Sequence, residues 1–214
     1  MSGEKKTEVP RPDELTRMRV NEFLAATASK TPIPGGGSVA GVVGALAAAL
    51  GEMVLAFTRG KKKYAESEAV HAALAKRLAR ARGMFSDLTA DDASAYTLYQ
   101  EANRCADETK EKKMAAALAA AINVPREMTA LALAVLEDLN KLGENCNPYL
   151  LTDLAAGAVL AQATVRLSDY NVRVNAASMS DKAAADDLRR ASARDVRRAG
   201  QLCRAAEEIV SKHV

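Results

Sequence analysis

The sequence is poor in aromatic residues and in histidine, and each shortage excludes a class of protein. Its 214 residues include three phenylalanines, five tyrosines and no tryptophan, so few rings are available for stacking nucleic-acid bases. The net charge of +3 is too small to indicate a nucleic-acid partner. The only histidines are His71 and His213, which excludes a three-histidine zinc site and argues against a histidine-based catalytic triad.

Cysteine is also scarce. Cys105, Cys146 and Cys203 are far apart and form no Cys-x-x-Cys pair, so we expect neither a disulfide framework nor a thiolate metal site. The N-terminal segment MSGEKKTEVPRPDE has no apolar signal region, which argues against secretion. We therefore expect a cytoplasmic protein in which residues 1–12 form a flexible tail.

Residues that favour helices are abundant. Hydrophobic residues make up 49% of the chain and charged residues 27%, with only six prolines. Alanine, leucine, arginine, lysine and glutamate dominate, all of which are good helix formers. The composition predicts an all-α protein, and the length predicts a single domain, which we expect to be an up-and-down bundle of long, partly kinked helices.

Apolar periodicity predicts six helical segments. The first is expected to start near Asp13 and to end at Pro32, and its buried face comprises Val20, Phe23, Leu24 and Ala28. The later helices are expected at residues 38–58, from about 70 to 99, at residues 110–142 with a kink at Pro125, from Thr152 or Asp153 onward, and from Asp181 to the C-terminus.

The most unusual stretch is TPIPGGGS at residues 31–38, directly before the second helix. Bare glycine backbone at the positive end of a helix dipole favours contact with a ligand, although a plain turn is an equal alternative. The helix itself is rich in small residues spaced four apart, which predicts close packing against another helix. It approaches the length of a membrane span, but Glu52 and the high alanine and glycine content argue against a membrane.

Three sets of polar residues stand out. Asp92 falls on the apolar stripe of the third helical region and so either faces the buried surface or, with Asp91, caps a new helix after a break. The lysines at residues 61–63 form either a patch for an anion or a solvated helix end. Asn171 and Asn175 lie four residues apart on one helix face, where they recognise a ligand or bond to a neighbouring helix.

Taken together, these segments resemble the family of methenyltetrahydrofolate cyclohydrolases and formiminotetrahydrofolate cyclodeaminases, from about Val20 to Val210. The matching motifs are TPIPGGGS at 31–38, GKKKY at 60–64, DDASAY at 91–96, TD at 152–153 and NVRVN at 171–175. One motif departs from the family pattern. A Gly-Asn pair before the Ser-Asp motif aligns with Cys146 and Asn147, or with Gly143 and Asn145 after a short insertion.

The resemblance implies an all-helical subunit that forms a homodimer and binds a folate, possibly polyglutamylated, and we expect no metal or redox cofactor. The expected catalytic residues are Asp92, Asp153 and Lys62, with the choice of general base left open. The residues expected to contact the substrate are Pro34, Gly35, Gly36, Gly37, Ser38, Lys61, Lys63, Tyr64, Asn147, Asn171 and Asn175. The lysines are also expected to pair with the glutamate tail.

We therefore expect hydrolysis of 5,10-methenyltetrahydrofolate to 10-formyltetrahydrofolate. The first alternative is a cyclodeaminase, which eliminates ammonia from 5-formiminotetrahydrofolate and acts beside a separate formiminotransferase. The second alternative is a non-catalytic helical protein that binds folate, in which the glycines serve only helix packing.

Overall fold

The computed structural model describes residues 9–213, which form six α-helices and three short 3₁₀ helices without a strand. The α-helices are α1 (Val20–Thr27), α2 (Gly36–Ala56), α3 (Glu68–Arg104), α4 (Lys110–Gly143), α5 (Leu151–Ala176) and α6 (Lys182–Ser211). The 3₁₀ helices are Pro12–Arg17, Lys62–Ser67 and Pro148–Leu150. The all-α prediction is confirmed, and most of the expected flexible tail lies outside the described residues.

Helix α2 lies at the centre of the bundle and packs its glycine face against α3. A Cβ atom at Gly44 would lie 2.5 Å from the Phe85 ring, and one at Gly41 would lie 2.2 Å from the Thr89 hydroxyl. Residues rise along α2 as their partners fall along α3, so the two helices are antiparallel. The predicted close approach at small residues is confirmed.

Helix α5 also runs antiparallel to α2. The Thr164 hydroxyl donates to the Ala40 carbonyl oxygen, while nearer the other end of α2 a Cβ atom at Gly157 would lie 3.2 Å from the Ala47 carbonyl oxygen. Helix α4 packs against α3 and α5, and α6 covers α4 and α5. The beginning of α5 therefore lies beside the end of α2, and the end of α5 lies beside the beginning of α2.

Two local expectations were wrong, and one of the two alternatives for Asp92 is excluded. The chain from Pro12 to Thr27 is a 3₁₀ helix followed by a short α1, and Val20 and Leu24 are 77% and 62% exposed because only Ala26 of α1 is buried. Helix α3 runs without a break through Asp92, so that residue does not cap a new helix. Helix α5 continues from the 3₁₀ turn at Pro148–Leu150, which makes Leu150 its N-cap in place of Thr152 or Asp153.

The charged residue inside α2 is paired. Glu52 accepts a hydrogen bond from Arg82 of α3 at 2.6 Å, which compensates a carboxylate on an otherwise apolar helix. By length and composition alone, three segments of the described chain could span a membrane: α2, α4 and Pro148–Ala176. Helix α4 continues through the buried Pro125 to Gly143.

Candidate active site

A cavity of about 630 Å³ lies at the N-terminal end of α2. Four segments meet there: the glycine loop that leads into α2, the second half of α3, the first half of α4 and the end of α5. The cavity is lined by Pro32, Ile33, Gly35, Gly36, Gly37, Asp92, Ala95, Tyr96, Tyr99, Met114, Leu118, Ala121, Asn171, Val174, Asn175 and Ser178. Six of the residues expected from sequence therefore share one cavity.

Asp92 lies directly against the first turn of α2. Its carboxylate accepts a hydrogen bond from the Ser38 hydroxyl at 3.0 Å, and a Cβ atom at Gly37 would lie 1.9 Å from its Oδ1. The N-cap of α2 is Gly35, which has no side chain to bind the free backbone N–H groups. Asp92 reaches the Ser38 backbone N–H from α3 instead, so the bare backbone of GGGS admits a carboxylate from another helix.

The environment of Asp92 acts on its pKa in two directions. Burial raises the pKa of the carboxyl above its ordinary value of 3.8, and hydrogen bonds from the hydroxyl and backbone N–H of Ser38 offset part of that rise. The positive end of the α2 dipole also favours the ionised form. Asp92 is therefore a half-buried carboxylate, held in place and open to the cavity on one side.

Two tyrosines extend the same face of α3. Tyr96 and Tyr99 follow Asp92 by four and seven residues, line the cavity and stay partly exposed. The Tyr96 hydroxyl accepts a hydrogen bond from Gln100 at 2.8 Å. Their rings offer flat apolar surfaces for an aromatic ligand. The site predicted from the sequence does not include these tyrosines, although Tyr96 ends the DDASAY motif and the spacing of four and seven residues from Asp92 is a usable signal.

Asn171 and Asn175 reach the cavity from α5. The Asn171 amide nitrogen donates to the Leu167 carbonyl oxygen at 3.0 Å, and that of Asn175 donates to the Ala121 carbonyl oxygen at 2.7 Å. These bonds hold both amides in place and leave each side-chain oxygen as the acceptor for a ligand. Met114 and Leu118 of α4 complete the cavity wall. The sequence did not predict them as site residues, because their helical spacing is the same as that of core residues.

Pro34 and Ser38 support this arrangement from behind the cavity surface. Both are buried, and neither lines the cavity, while their neighbours Gly35 and Gly37 do. Ser38 acts on the site through its hydrogen bond to Asp92.

The lysine motif lies at the opposite end of α2. Lys61, Lys62 and Lys63 are exposed, and the buried Tyr64 anchors them through an edge contact with His71 at a ring separation of 6.3 Å. Helix α2 has 21 residues and so measures about 30 Å. Within one chain the lysines therefore do not reach the cavity.

Asn147 and Asp153 also lie at the lysine end. Asn147 is buried, its backbone N–H donates to the Thr58 hydroxyl at 3.0 Å, and its amide nitrogen donates to the Phe57 carbonyl oxygen at 3.3 Å. Its side-chain oxygen accepts from the Tyr149 backbone N–H. Asn147 therefore joins the end of α2 to the start of α5, and Asp153 lies half-buried in the first turn of α5.

The residues of the cavity offer no obvious metal ligand set. Among residues 9–213, no three side chains of histidine, cysteine, aspartate or glutamate are grouped closely enough to hold a metal ion. The cavity lining includes one carboxylate, that of Asp92, and no lysine or arginine. The arrangement is suited to a flat, largely apolar ligand that carries a positive charge near Asp92.

Comparison with known sequences identifies the family. Residues 19–194, most of the chain, match the family described as formiminotransferase-cyclodeaminase. The chain belongs to the formiminotransferase-cyclodeaminase family. All cavity-lining residues lie within the matched range.

Two relatives show how the formiminotransferase-cyclodeaminase family is organised. The chain is 32% identical to a methenyltetrahydrofolate cyclohydrolase of Methylorubrum extorquens, in a match that covers 78% of this chain and 84% of the relative. It is 26% identical to the formimidoyltransferase-cyclodeaminase of Gallus gallus, of which the match covers 32%. The chain thus spans about a third of the length of the longer relatives.

A solved structure in the formiminotransferase-cyclodeaminase family has the same fold. The crystal structure of formiminotetrahydrofolate cyclodeaminase from Thermotoga maritima superimposes with a TM-score of 0.79 at 30% identity, covering 94% of this chain and 97% of the other. The resemblance derived from the sequence motifs is confirmed.

Proposed function

We propose that this protein hydrolyses 5,10-methenyltetrahydrofolate to 10-formyltetrahydrofolate. The observation that carries the proposal is the position of Asp92, which lies at the N-terminus of α2 and faces the cavity beside Tyr96 and Tyr99. A half-buried anion next to flat aromatic surfaces suits a planar ligand with a delocalised positive charge. The similarity to the cyclohydrolase of Methylorubrum extorquens supports the same reaction.

The substrate cation is spread over N5, the bridging carbon and N10. The Asp92 carboxylate stabilises that cation electrostatically and orients water toward the bridging carbon. Water adds to this carbon and loses one proton to a base, which gives a neutral hydroxyl adduct. The carbon–N5 bond then breaks, N5 takes the hydroxyl proton, and the formyl group stays on N10. The sum is one water consumed and one proton released.

The remaining cavity groups position the ring system. Tyr96 and Tyr99 stack against the flat part of the ligand, while the side-chain oxygens of Asn171 and Asn175 accept hydrogen bonds from the pterin edge. Asp92 is also the cavity's only candidate for the base, since Asp153 and Lys62 lie at the other end of α2.

A second candidate is the cyclodeaminase reaction, in which ammonia leaves 5-formiminotetrahydrofolate and the methenyl compound forms. The observation that favours it is the match to the Thermotoga maritima cyclodeaminase over 94% of this chain. The same cavity serves either reaction, because both pass through the methenyl cation. Asp92 stabilises the product in one case and the substrate in the other.

We further propose that the protein is a cytoplasmic homodimer that works without a metal or redox cofactor and does not cross a membrane. Addition of water to an already cationic carbon needs no Lewis acid and no electron transfer. Packing of α2 against α3 and α5, with Glu52 paired to Arg82, supports burial of that helix in protein rather than in lipid. The proposed substrate includes polyglutamylated forms, which the lysines would bind.

Loss of methenyltetrahydrofolate absorbance with purified protein, compared with the spontaneous rate, tests the proposal. We expect acceleration that survives treatment with a chelator. In parallel, 5-formiminotetrahydrofolate is supplied while ammonia and methenyl absorbance are followed, and release of ammonia at a higher kcat/KM than hydrolysis would identify a cyclodeaminase. Folate binding without either turnover would leave a non-catalytic binding protein.

A further inference from the structure

A second groove lies between α5 and α6. It has a volume of about 450 Å³, which is within the range of sites that bind small molecules. Its lining includes three arginines, Arg166, Arg197 and Arg204, together with two glutamines and no carboxylate. The groove therefore brings positive charge and hydrogen-bond donors together, and its own lining supplies no group that neutralises them.

This groove is separate from the cavity of the candidate active site. Gln162 and Arg166 line the groove, and Asn171 and Asn175 line the cavity. The members of each matching pair are nine residues apart, which is two and a half turns of helix, so they lie on opposite faces of α5. An inference about the groove thus goes beyond the proposed function and does not depend on it.

The arginines of the groove have no acidic partner. No salt bridge joins Arg166, Arg197 or Arg204 to another residue of the described chain. The other arginines of α5 and α6 behave differently, because four of the remaining five form ion pairs. Three like charges that share a groove repel one another, and an anion bound between them would relieve that repulsion.

The nearest carboxylates along α5 and α6 do not compensate this charge. Asp169, three residues after Arg166, is buried and accepts hydrogen bonds from the Ser192 hydroxyl at 2.7 Å and from Arg173 at 2.9 Å. Glu207, three residues after Arg204, is exposed and is not part of the lining. The groove is therefore left with a net positive charge.

Gly200 leaves space in the floor of the groove. A Cβ atom there would lie 3.5 Å from Arg204 Nη1 and 3.5 Å from Gln162 Nε2. Apart from its two chain neighbours, no other side chain of the described residues comes within 4 Å of that point. Nitrogen donors from two different helices thus converge on one small space, where an acceptor oxygen of a ligand can bind both.

We propose that this groove binds a small molecule that contains two adjacent phosphate groups, either free or attached to a nucleoside. Arg197 and Arg204 lie on either side of Gly200, about 10 Å apart along α6, and Arg166 approaches from α5. Two phosphates present enough oxygens to engage the planar forks of guanidinium groups that come from several directions. The lining contains no aromatic ring, so recognition rests on the phosphates and not on stacking of a base.

Isothermal titration calorimetry of the whole chain with inorganic diphosphate, in magnesium-free buffer at low salt, measures this binding directly. We expect one site per chain and at least about tenfold weaker binding of orthophosphate and sulfate, which have fewer oxygens for the three arginines. The melting temperature should rise with diphosphate concentration, because the ligand binds the folded state. Absence of binding, or equal affinity for all three anions, would overturn the proposal.

Two further ligands define the chemical class. A nucleoside diphosphate that binds more tightly than diphosphate would identify an attached nucleoside, and equal affinity would identify the phosphates as the whole of the recognised group. Citrate is expected to bind more weakly than diphosphate. If citrate binds more tightly, the groove is a carboxylate site and the proposed class of ligand is wrong.

Arginine variants locate the binding. Arg166→Gln and Arg204→Gln are each expected to weaken diphosphate binding about tenfold, and Arg204→Lys should recover only part of the loss, because lysine keeps the charge without the fork. Arg80→Gln is the matched control, since Arg80 of α3 is exposed and forms no salt bridge with another described residue. Equal weakening in the control would indicate attraction to the whole protein and overturn the groove as the site.

Gly200→Ala separates binding from stability. The new methyl group makes ordinary contacts at 3.5 Å, and alanine is a better helix former than glycine, so the melting temperature should not fall. The methyl group also occupies the space proposed for a phosphate oxygen, so diphosphate should bind several-fold more weakly. Unchanged affinity in this variant would place the anion elsewhere. Because binding is the readout, these results stand whether or not the protein has the proposed hydrolase activity.

Discussion

Residues that belong to the family motifs lie at both ends of α2. The surroundings of the two ends differ in burial, charge and hydrogen bonding. At its beginning, Asp92 is half-buried, is bound to Ser38 and faces a cavity with two tyrosine rings. At its end, Lys61, Lys62 and Lys63 are exposed, and Asn147 uses its polar atoms within the protein. The first end has a cavity whose lining includes no lysine or arginine, and the second presents three exposed lysines.

This difference shows that a set of motifs in one sequence need not form one site in one chain. The beginning of α2 can stabilise a charge buried from water, where electrostatic effects are strong. The end of α2 presents exposed cations to water, where they can act on a flexible anion and respond to salt. We therefore propose that catalysis and tail recognition belong to different ends.

The largest effect is expected from the carboxylate at the beginning of α2. Asp92→Asn is expected to lower kcat/KM by about a hundredfold, which is about 3 kcal/mol of transition-state stabilisation, because it removes the anion from the cavity. The melting temperature should not fall, since asparagine can still accept the Ser38 hydrogen bond and burial no longer opposes a charge. Steady-state kinetics and thermal melts on one preparation measure both effects.

Two matched variants sharpen this result. Asp91→Asn changes the exposed neighbour, and Asp153→Asn changes the carboxylate at the other end of α2; both should retain kcat/KM within about twofold. Parental turnover in Asp92→Asn together with a large loss in Asp153→Asn would move the chemistry to the lysine end.

The fold and the candidate site differ in how much of each can be predicted from the sequence alone. Helices were predictable because small residues spaced four apart in α2 and the apolar stripe of α3 identify the buried faces, as Gly44 against Phe85 illustrates. The bounds of α1 were not, because Val20 and Leu24 have helical periodicity but lie on the surface of the single chain. Periodicity shows which residues share a face and not what that face contacts.

The site was predictable where a motif joins two segments in space. Asp92 and the GGGS loop were expected together, and the structure places them in contact. Met114 and Leu118 were not expected, since apolar residues at helical spacing are indistinguishable from core residues until a cavity is seen beside them. The sequence alone also does not show that Asn147 and Asp92 lie about 30 Å apart. That distance is the length of α2, because Asn147 contacts its end and Asp92 contacts its beginning.

The next largest effect concerns the lysine end. Alanine at residues 61–63 is expected to raise KM for a polyglutamylated folate about tenfold and for the monoglutamate about twofold, because more carboxylates lose their partners in the longer tail. The gap between the substrates should shrink in high salt, which screens charges in water. Equal changes in KM for both substrates, or no dependence on salt, would remove the lysines from tail binding.

A smaller effect, of a few-fold, is expected from pH. Burial raises the pKa of Asp92, so kcat/KM, corrected for the uncatalysed rate, should rise with pH along a limb that lies above the ordinary aspartate value of 3.8. The contribution of Asp92 to folding stability changes with pH in the opposite direction to kcat/KM. The folded state binds the Asp92 proton more tightly than the unfolded state, so this carboxyl's contribution to stability is lost as pH rises through its folded pKa. Both trends should vanish in Asp92→Asn, and a limb that persists there would belong to another group.

The smallest effect on activity is expected at Asn147, which the family motif marks and the structure places outside the cavity. Asn147→Ala removes the hydrogen bonds to the Phe57 carbonyl oxygen and from the Tyr149 backbone N–H, so it should lower the free energy of unfolding by about 1–2 kcal/mol while KM stays within twofold. Asn147→Asp keeps the oxygen that accepts from Tyr149 and should recover part of the lost stability. Asn171→Ala, at the cavity end, should instead raise KM. Urea unfolding and kinetics on the three variants therefore compare the ends directly, and a raised KM in Asn147→Ala with unchanged stability would return Asn147 to the substrate-binding residues.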